Sequence, residues 1–103
     1  MPPKLTPEQR RAALEKAAEA RRTRAEIKEL LKTGSLTFPE VLERAEYDEI
    51  VAGTKVAAIV VSLPGVGKVK ARRIMEDIGI AESQRLRGLG DQQRASLLAA
   101  FSD

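Results

Sequence analysis

A proline and two glycines force a sharp turn inside the stretch Leu63–Met75 (LPGVGKVKARRIM). Pro64 has no N–H to donate and disfavours helical geometry at the residue before it, so it ends any preceding helix. Gly65 and Gly67 permit the positive φ angles that a tight bend needs. The basic run from about Lys68 favours a new helix. The stretch therefore predicts two helices joined by a hairpin.

The same hairpin carries the residue types that hold a phosphate. Glycines without a Cβ let backbone N–H groups come close to an anion, and the N-terminus of the next helix adds the positive end of its dipole. Basic side chains follow immediately. This arrangement is typical of a helix-hairpin-helix that grips nucleic acid by its backbone. The predicted contacts are Pro64, Gly65, Val66, Gly67, Lys68, Lys70 and Arg72.

A long helix is predicted before this region. The sequence TPEQ at residues 6–9 supplies an N-cap, a proline at the first helical position and the partner for a capping box. No further proline or glycine occurs before Gly34. The large apolar residues gather in the last third of this helix, so we expect only that third to pack on a core. The predicted organisation is an arm at residues 1–33 and a helical core at residues 34–103.

One side of the arm is basic. On a helical wheel the basic residues fall in one sector beside the apolar one; they are Arg10, Arg21, Arg24, Lys28 and Lys32, of which the first four are the candidate contacts. This stripe is either a solvated face balanced by ion pairs, such as Arg22 with Glu26 and Arg11 with Glu15, or a second contact with nucleic acid or another subunit.

The rest of the chain also predicts helices. A second capping box, TFPE at residues 37–40, opens a helix through about Glu46. The run VAAIVV favours a strand in isolation, but the chain offers no partner strand, so we expect a short buried helix over residues 54–62. Asp91 is expected to cap the last helix. The predicted fold class is therefore all-α.

Several side chains are assigned places in this fold. We expect Val69, Ile74 and Ile78 to face the core from the helix after the hairpin, and Gly79 to end that helix. Tyr47 is either a stacking platform for a base or, beside an acidic cluster, part of the core or a helix edge.

The charge of +3 is unevenly divided along the chain. Residues 1–33 hold nine basic and five acidic side chains, residues 34–54 hold one and five, and residues 55–103 hold eight and five. We expect the acidic segment to face away from a polyanion. A glycine-rich turn near the end carries Arg85 and Arg87, which are predicted to form the second half of the nucleic-acid site.

Catalysis and nucleotide binding are not indicated. The chain has no cysteine and no histidine, which removes two common nucleophiles and metal ligands. GVGK is not a phosphate-binding Walker loop, because Ser62 stands where its first glycine belongs and Val69 follows the lysine. We therefore expect no enzymatic activity, cofactor, metal or small-molecule substrate. No apolar run approaches the ~20 residues of a membrane span, which predicts a cytoplasmic protein.

Binding is expected to depend on phosphates and duplex shape rather than on base sequence. Nothing in the chain resembles a recognition helix that presents Asn, Gln and Arg to base edges. Pro64 with Val66 either enters a minor groove as a wedge that kinks the DNA or simply ends the preceding helix.

Taken as a whole, the chain resembles the actinobacterial integration host factor family over essentially its full length. The resemblance rests on LTPEQRRAALEKAAEARRTRAE, LPGVGKVKARRIM and RLRGLGDQQRASLL. It implies a helix-two-turn-helix domain behind a long helix, in a nucleoid-associated protein that binds duplex DNA with little sequence preference, bends and compacts it, and assists phage integrase complexes. It places DNA contacts on Pro64, Lys68, Arg85 and Arg87, with Gln84 where some members have another arginine. We expect a monomer in solution.

Two other functions stay open at this point. The hairpin and the final helix are also similar to a small-subunit ribosomal protein that shares the helix-two-turn-helix module, which would imply structural binding of ribosomal RNA. The third alternative is a protein-interaction adaptor whose arm mediates oligomerisation and whose hairpin is merely structural.

Overall fold

A computed structural model describes residues 4–101, and all the regular elements within that range are helical. They are α1 (Pro7–Lys32), α2 (Phe38–Ala45), α3 (Glu49–Ala52), α4 (Val56–Val61), α5 (Gly67–Ile78), a 3₁₀ turn (Leu86–Gly88) and α6 (Asp91–Phe101). The predicted all-α fold class is confirmed. The short α3 and the 3₁₀ turn were not anticipated, because neither is long enough to show a periodic pattern.

Helix α1 begins with the predicted capping box. Thr6 Oγ1 accepts the N–H of Gln9 at 3.1 Å, and Gln9 Oε1 accepts the N–H of Thr6 at 3.0 Å. Every residue from 4 to 17 is exposed, whereas Ile27 and Leu31 are 2% and 0% exposed. As predicted, only the last third of α1 packs on the core. The rest projects, which contributes to overall dimensions of 49 × 31 × 26 Å.

A second capping box fixes the start of α2. Glu40 Oε1 accepts hydrogen bonds from Thr37 Oγ1 at 2.8 Å and from the N–H of Thr37 at 3.1 Å. Both bonds hold the pKa of the Glu40 carboxyl below its ordinary value, and the bond from the Thr37 hydroxyl has the larger effect. The cap places the next residue, Phe38, at the first position of the helix with its ring in the core.

A single aliphatic core joins all the helices. The VAAIVV run is helical, as predicted, because Val56, Ile59 and Val60 lie on one helical face and are all fully buried. The ring of Phe38 packs against Phe101 with 5.6 Å between ring centroids. The buried end of α1 belongs to the same cluster. The boundary of the arm between residues 33 and 34 stays a prediction.

The buried face of α5 differs from the predicted one. Ala71 and Met75, one turn apart, are each 4% exposed, whereas Val69 is 77% exposed. Val69 precedes Ala71 by two residues, which is about 200° around the helix, so the two cannot share a face. The predicted burial of Val69 is therefore wrong. Ile74 and Ile78 are half-buried at the edge of the core.

The alternatives for Tyr47 are reduced, and one further assignment needs correction. Tyr47 is 77% exposed, so it is not part of the core; it lies in the turn directly after α2, at the edge of that helix, and the stacking alternative stays a prediction. Asp91 is the first residue of α6 rather than its cap. The side chain of Gln93 takes over part of the capping function, because its Oε1 accepts the N–H of Gly90 at 3.0 Å.

The end of α5 offers a test of local conformation. Gly79 has φ 85°, and the N–H of Ile80 bonds to the Met75 carbonyl at 2.8 Å. A Cβ at Gly79 would meet open space, so the cost of alanine there is conformational. We expect Gly79→Ala to lower the free energy of unfolding by about 1–2 kcal/mol, measured by urea denaturation. Gly88→Ala is the control, since Gly88 has no positive φ. Equal losses in both variants would contradict this explanation.

Candidate nucleic-acid interface

The hairpin between α4 and α5 has the predicted geometry. Gly65 and Gly67 have φ angles of 75° and 68°, and a Cβ built on either would meet nothing within 4 Å. Pro64 and Gly65 are exposed. The backbone at the tip therefore faces solvent without side-chain cover, and α5 begins at Gly67, one residue earlier than expected.

Val66 has a different place from the one predicted for a wedge. Its side chain is 9% exposed and belongs to the core cluster, and its N–H bonds to the Leu63 carbonyl at 3.2 Å. An apolar side chain is needed here to close the hairpin over the core. A wedge formed by the Val66 side chain is therefore wrong, while Pro64 keeps the exposure that such a role requires.

The start of α5 leaves backbone donors free for a ligand. Its N-cap residue, Val66, makes no side-chain capping bond, so the first amides of the helix have no partner within the helix or its cap. Exposed cations follow in the first turns, namely Lys68, Lys70 and Arg72. Amides and cations thus lie at one end of the same helix, which is the combination that binds phosphate.

A cleft of 430 Å³ lies beside this helix. Its floor is aliphatic, and three cations, Lys55, Lys68 and Arg72, line it together with Glu76 and Glu82. Arg72 lies 3.8 Å from Glu82, but both side chains are largely exposed, at 72% and 82%. Such a pair is worth at most about 1 kcal/mol, so it competes weakly with a ligand phosphate. Lys55 was not among the predicted contacts, because it is an isolated lysine before an apolar run and no local pattern links it to the hairpin.

The glycine-rich turn that carries Arg85 and Arg87, residues 81–90, is called the second turn. It is held against the segment that leads into α4. Backbone hydrogen bonds of 2.9 and 3.0 Å hold residues 84–86 against residues 54–56. They place Lys55 directly opposite Arg85 in an isolated antiparallel bridge. Because Lys55 also lines the cleft beside the hairpin, it connects the two predicted halves of the site.

The two arginines of the second turn have different surroundings. Arg85 is half-buried, and its Nη1 donates to the carbonyl oxygen of Gly53. Arg87 is exposed and lines a separate crevice of 160 Å³ that also includes Glu46 and Arg94. The two residues are therefore not one paired contact.

Gln84 has a structural role in the turn. Its Nε2 donates to the Gly88 carbonyl at 3.0 Å and to Gln93 Oε1 at 2.8 Å. The Nε2 of Gln93 donates in turn to the Gly79 carbonyl at 3.1 Å. These amides join the second turn to the start of α6 and the end of α5, which an arginine at residue 84 would not do in the same way.

Comparisons with known proteins agree with this architecture. A family model described as an S13-like H2TH domain matches residues 31–101. Integration host factors of Mycobacterium tuberculosis H37Rv and Mycolicibacterium smegmatis are each 57% identical over 99 residues, which is 96% of this chain and 94% of each relative. That of Streptomyces coelicolor is 54% identical over 96% of this chain and 92% of the relative. The chain belongs to the actinobacterial integration host factor family.

A solved structure shows the same fold in a relative of this integration host factor family member. It is the structure of a protein named sIHF bound to an 8-base-pair palindromic DNA, with a TM-score of 0.82 and 50% sequence identity. The match covers 85% of this chain and 99% of the other. The resemblance seen in the sequence is thus confirmed. None of the names of these relatives is that of an enzyme, which agrees with the prediction of no catalytic activity.

The residues of the basic stripe on the arm lie in two different environments in this family member. Arg10 and Arg21 are exposed on the projecting part, whereas Arg24 and Lys28 are half-buried against the core. Arg24 Nη2 donates to the Gly53 carbonyl at 3.5 Å. Within residues 4–101, the three ion pairs are Arg44–Asp48, Arg72–Glu82 and Arg94–Glu46. Neither ion pair expected along the arm is among them.

In the described part of the chain, no three acidic side chains lie where they could hold a metal ion. No helix there is long and apolar enough to cross a membrane.

Proposed function

We propose that this integration host factor family member binds duplex DNA by its phosphate backbone, with little dependence on base sequence. The observation that carries the proposal is the hairpin, whose uncovered glycine backbone lies next to the free amides of α5 and to exposed Lys68. The DNA-bound structure of a 50% identical relative supports duplex DNA as the ligand over other polyanions.

The proposed contacts form two groups joined by Lys55. The first comprises Pro64, Gly65, Gly67, Lys68, Lys70, Arg72 and the backbone of Val66. The second comprises Arg85 and Arg87. Pro64 has no N–H and contributes only an apolar surface, whereas each of the others supplies a backbone amide or a cation to a phosphate. Such contacts carry affinity without reading bases.

The same surface supports a change in DNA shape. Pro64 is an exposed, rigid apolar residue at the tip of the hairpin, and a side chain of this kind inserted into a minor groove unstacks bases and bends the duplex. Assistance to phage integrase complexes is proposed from the family name. Compaction of the nucleoid and a monomeric state in solution are further parts of this proposal.

Lys68 is the residue with which to test DNA binding. Because it is exposed, we expect Lys68→Ala to leave stability unchanged, to weaken binding of a short duplex, and to make the slope of log affinity against log salt less steep by about 1. Fluorescence anisotropy of a labelled duplex at several salt concentrations measures both effects.

The matched control is Lys16→Ala, which removes an exposed lysine of α1 outside the basic stripe. The same slope and affinity for Lys68→Ala and wild type would rule out this phosphate contact. Tighter binding of structured RNA than of duplex DNA would favour the ribosomal alternative, and a stable oligomer that binds neither would favour the adaptor.

A further inference from the structure

The junction between the arm and the core places two guanidinium groups on one backbone oxygen. Arg24 of α1 donates from Nη2 to the carbonyl of Gly53 at 3.5 Å. Arg85 of the second turn donates to the same oxygen from Nη1. Both arginines are half-buried. Two like charges are therefore held around one neutral acceptor, which is unfavourable unless an anion offsets the repulsion.

The N–H donors of Arg24 are poorly satisfied by hydrogen bonds in this arrangement. Its contact with Gly53 is at the long limit for a hydrogen bond, and its Nε–H is buried without a partner. A buried donor that lacks an acceptor is costly, so a better partner is favoured. Nε and Nη2 form one edge of the guanidinium, and a rotation of the side chain would turn that whole edge toward an anion.

No ion pair involves these charges. Among the residues that the structure describes, no carboxylate oxygen lies within 4.0 Å of a nitrogen of Arg24, Arg85 or Lys55. Lys55 stands opposite Arg85 in the backbone bridge, where like charges are destabilising. Three segments that are distant in sequence thus bring positive charges that have no ion-pair partner to one place.

We propose that Arg24 and Arg85 form a clamp that holds a single phosphate of the bound duplex. The inference rests on the proposed DNA binding and adds a contact from the root of the arm. Phosphate fits because its oxygens accept pairs of parallel hydrogen bonds from a guanidinium edge, and a flexible lysine at either position would not reproduce that geometry. Arg24, at the point where the arm meets the core, therefore binds the same phosphate as Arg85 of the second turn. It does not belong to a separate DNA surface with Arg10 and Arg21.

The salt dependence of binding distinguishes one shared phosphate from two. The variants are Arg24→Gln, Arg85→Gln and the two combined, since glutamine keeps an N–H donor for the Gly53 carbonyl and removes the charge. Each single variant is expected to lower affinity for a short duplex about tenfold with almost no change in salt slope, because the other guanidinium still neutralises the phosphate. The combined variant is expected to make the slope less steep by about 0.9.

Two outcomes would overturn the clamp. The salt slope could instead become less steep by about 0.9 in each single variant and by about 1.8 in the combined one, which would indicate two separate phosphates. An unchanged salt slope in the combined variant, together with a lower melting temperature, would show that the two arginines only stabilise the fold. Arg22→Gln, an exposed neighbour on α1, is the control for loss of one arm charge.

Two further variants keep the test decisive. Arg24→Lys combined with Arg85→Lys retains both charges, so the wild-type slope with lower affinity is expected even if the double glutamine variant does not fold; unchanged affinity would overturn the clamp. Lys68→Ala separates the two proposals. If Lys68→Ala changes the salt slope and the combined glutamine variant does not, the clamp is wrong but the proposed DNA binding stands. If neither variant changes the slope, both proposals are wrong.

Discussion

Raising the salt concentration from about 50 to about 200 mM is expected to lower the affinity for a short duplex about 1000-fold. The physical reason is counterion release, because each phosphate that the protein neutralises frees condensed cations. The proposed interface has about six such contacts, which predicts a slope of roughly −5 for log affinity against log salt. They are Lys55, Lys68, Lys70, Arg72, Arg87 and the phosphate shared by Arg24 and Arg85.

Equilibrium titrations at four or more salt concentrations measure this slope. Two duplexes of unrelated sequence serve as the matched comparison, since contacts with phosphates alone predict the same slope for both. A slope near −1 would show that most of these cations do not touch DNA. A slope that differs strongly between the two duplexes would point instead to contacts with base edges.

The second large effect concerns stability. We expect Phe38→Ala to lower the free energy of unfolding by about 3–5 kcal/mol, measured by urea denaturation. The ring is 1% exposed and packs against Phe101. The chain has few aromatic residues, so no other large side chain lies ready to fill the space that alanine leaves. A small domain has only about 5–15 kcal/mol of stability in total, which makes this a large fraction.

Leu14→Ala is the control for this substitution. Leu14 is 64% exposed on the projecting part of α1, and removal of its side chain should change stability by no more than about 0.5 kcal/mol. A loss below about 1 kcal/mol for Phe38→Ala would be out of line with large-to-small core substitutions, and it would mean that α2 and α6 do not pack as described.

Local signals in the sequence predicted much of this fold. Capping boxes at Thr6 and Thr37 fixed two helix starts, and the glycines of the hairpin fixed the turn, because each depends on residues only a few positions apart. The VAAIVV run was also assigned correctly, by the lack of a partner strand rather than by its own β propensity.

The remaining features depend on tertiary contacts that no local pattern encodes. Val66 and Val69 exchange their expected places, because the direction in which α5 leaves the hairpin decides which valine meets the core. The meeting of Arg24 with Arg85 depends on where α1 crosses the segment around Gly53. The same holds for Lys55, which acquires its position only through the bridge to the second turn.

That bridge has a mechanical consequence. The hydrogen bonds between residues 54–56 and 84–86 tie the second turn to the segment that runs through α4 into the hairpin, and α4 is itself only six residues long. The two proposed groups of DNA contacts are thus attached to one short segment, and the protein sets the distance between them. For a duplex bound by both groups, we expect the DNA to deform to match that distance, so that the protein would act as a template for its curvature.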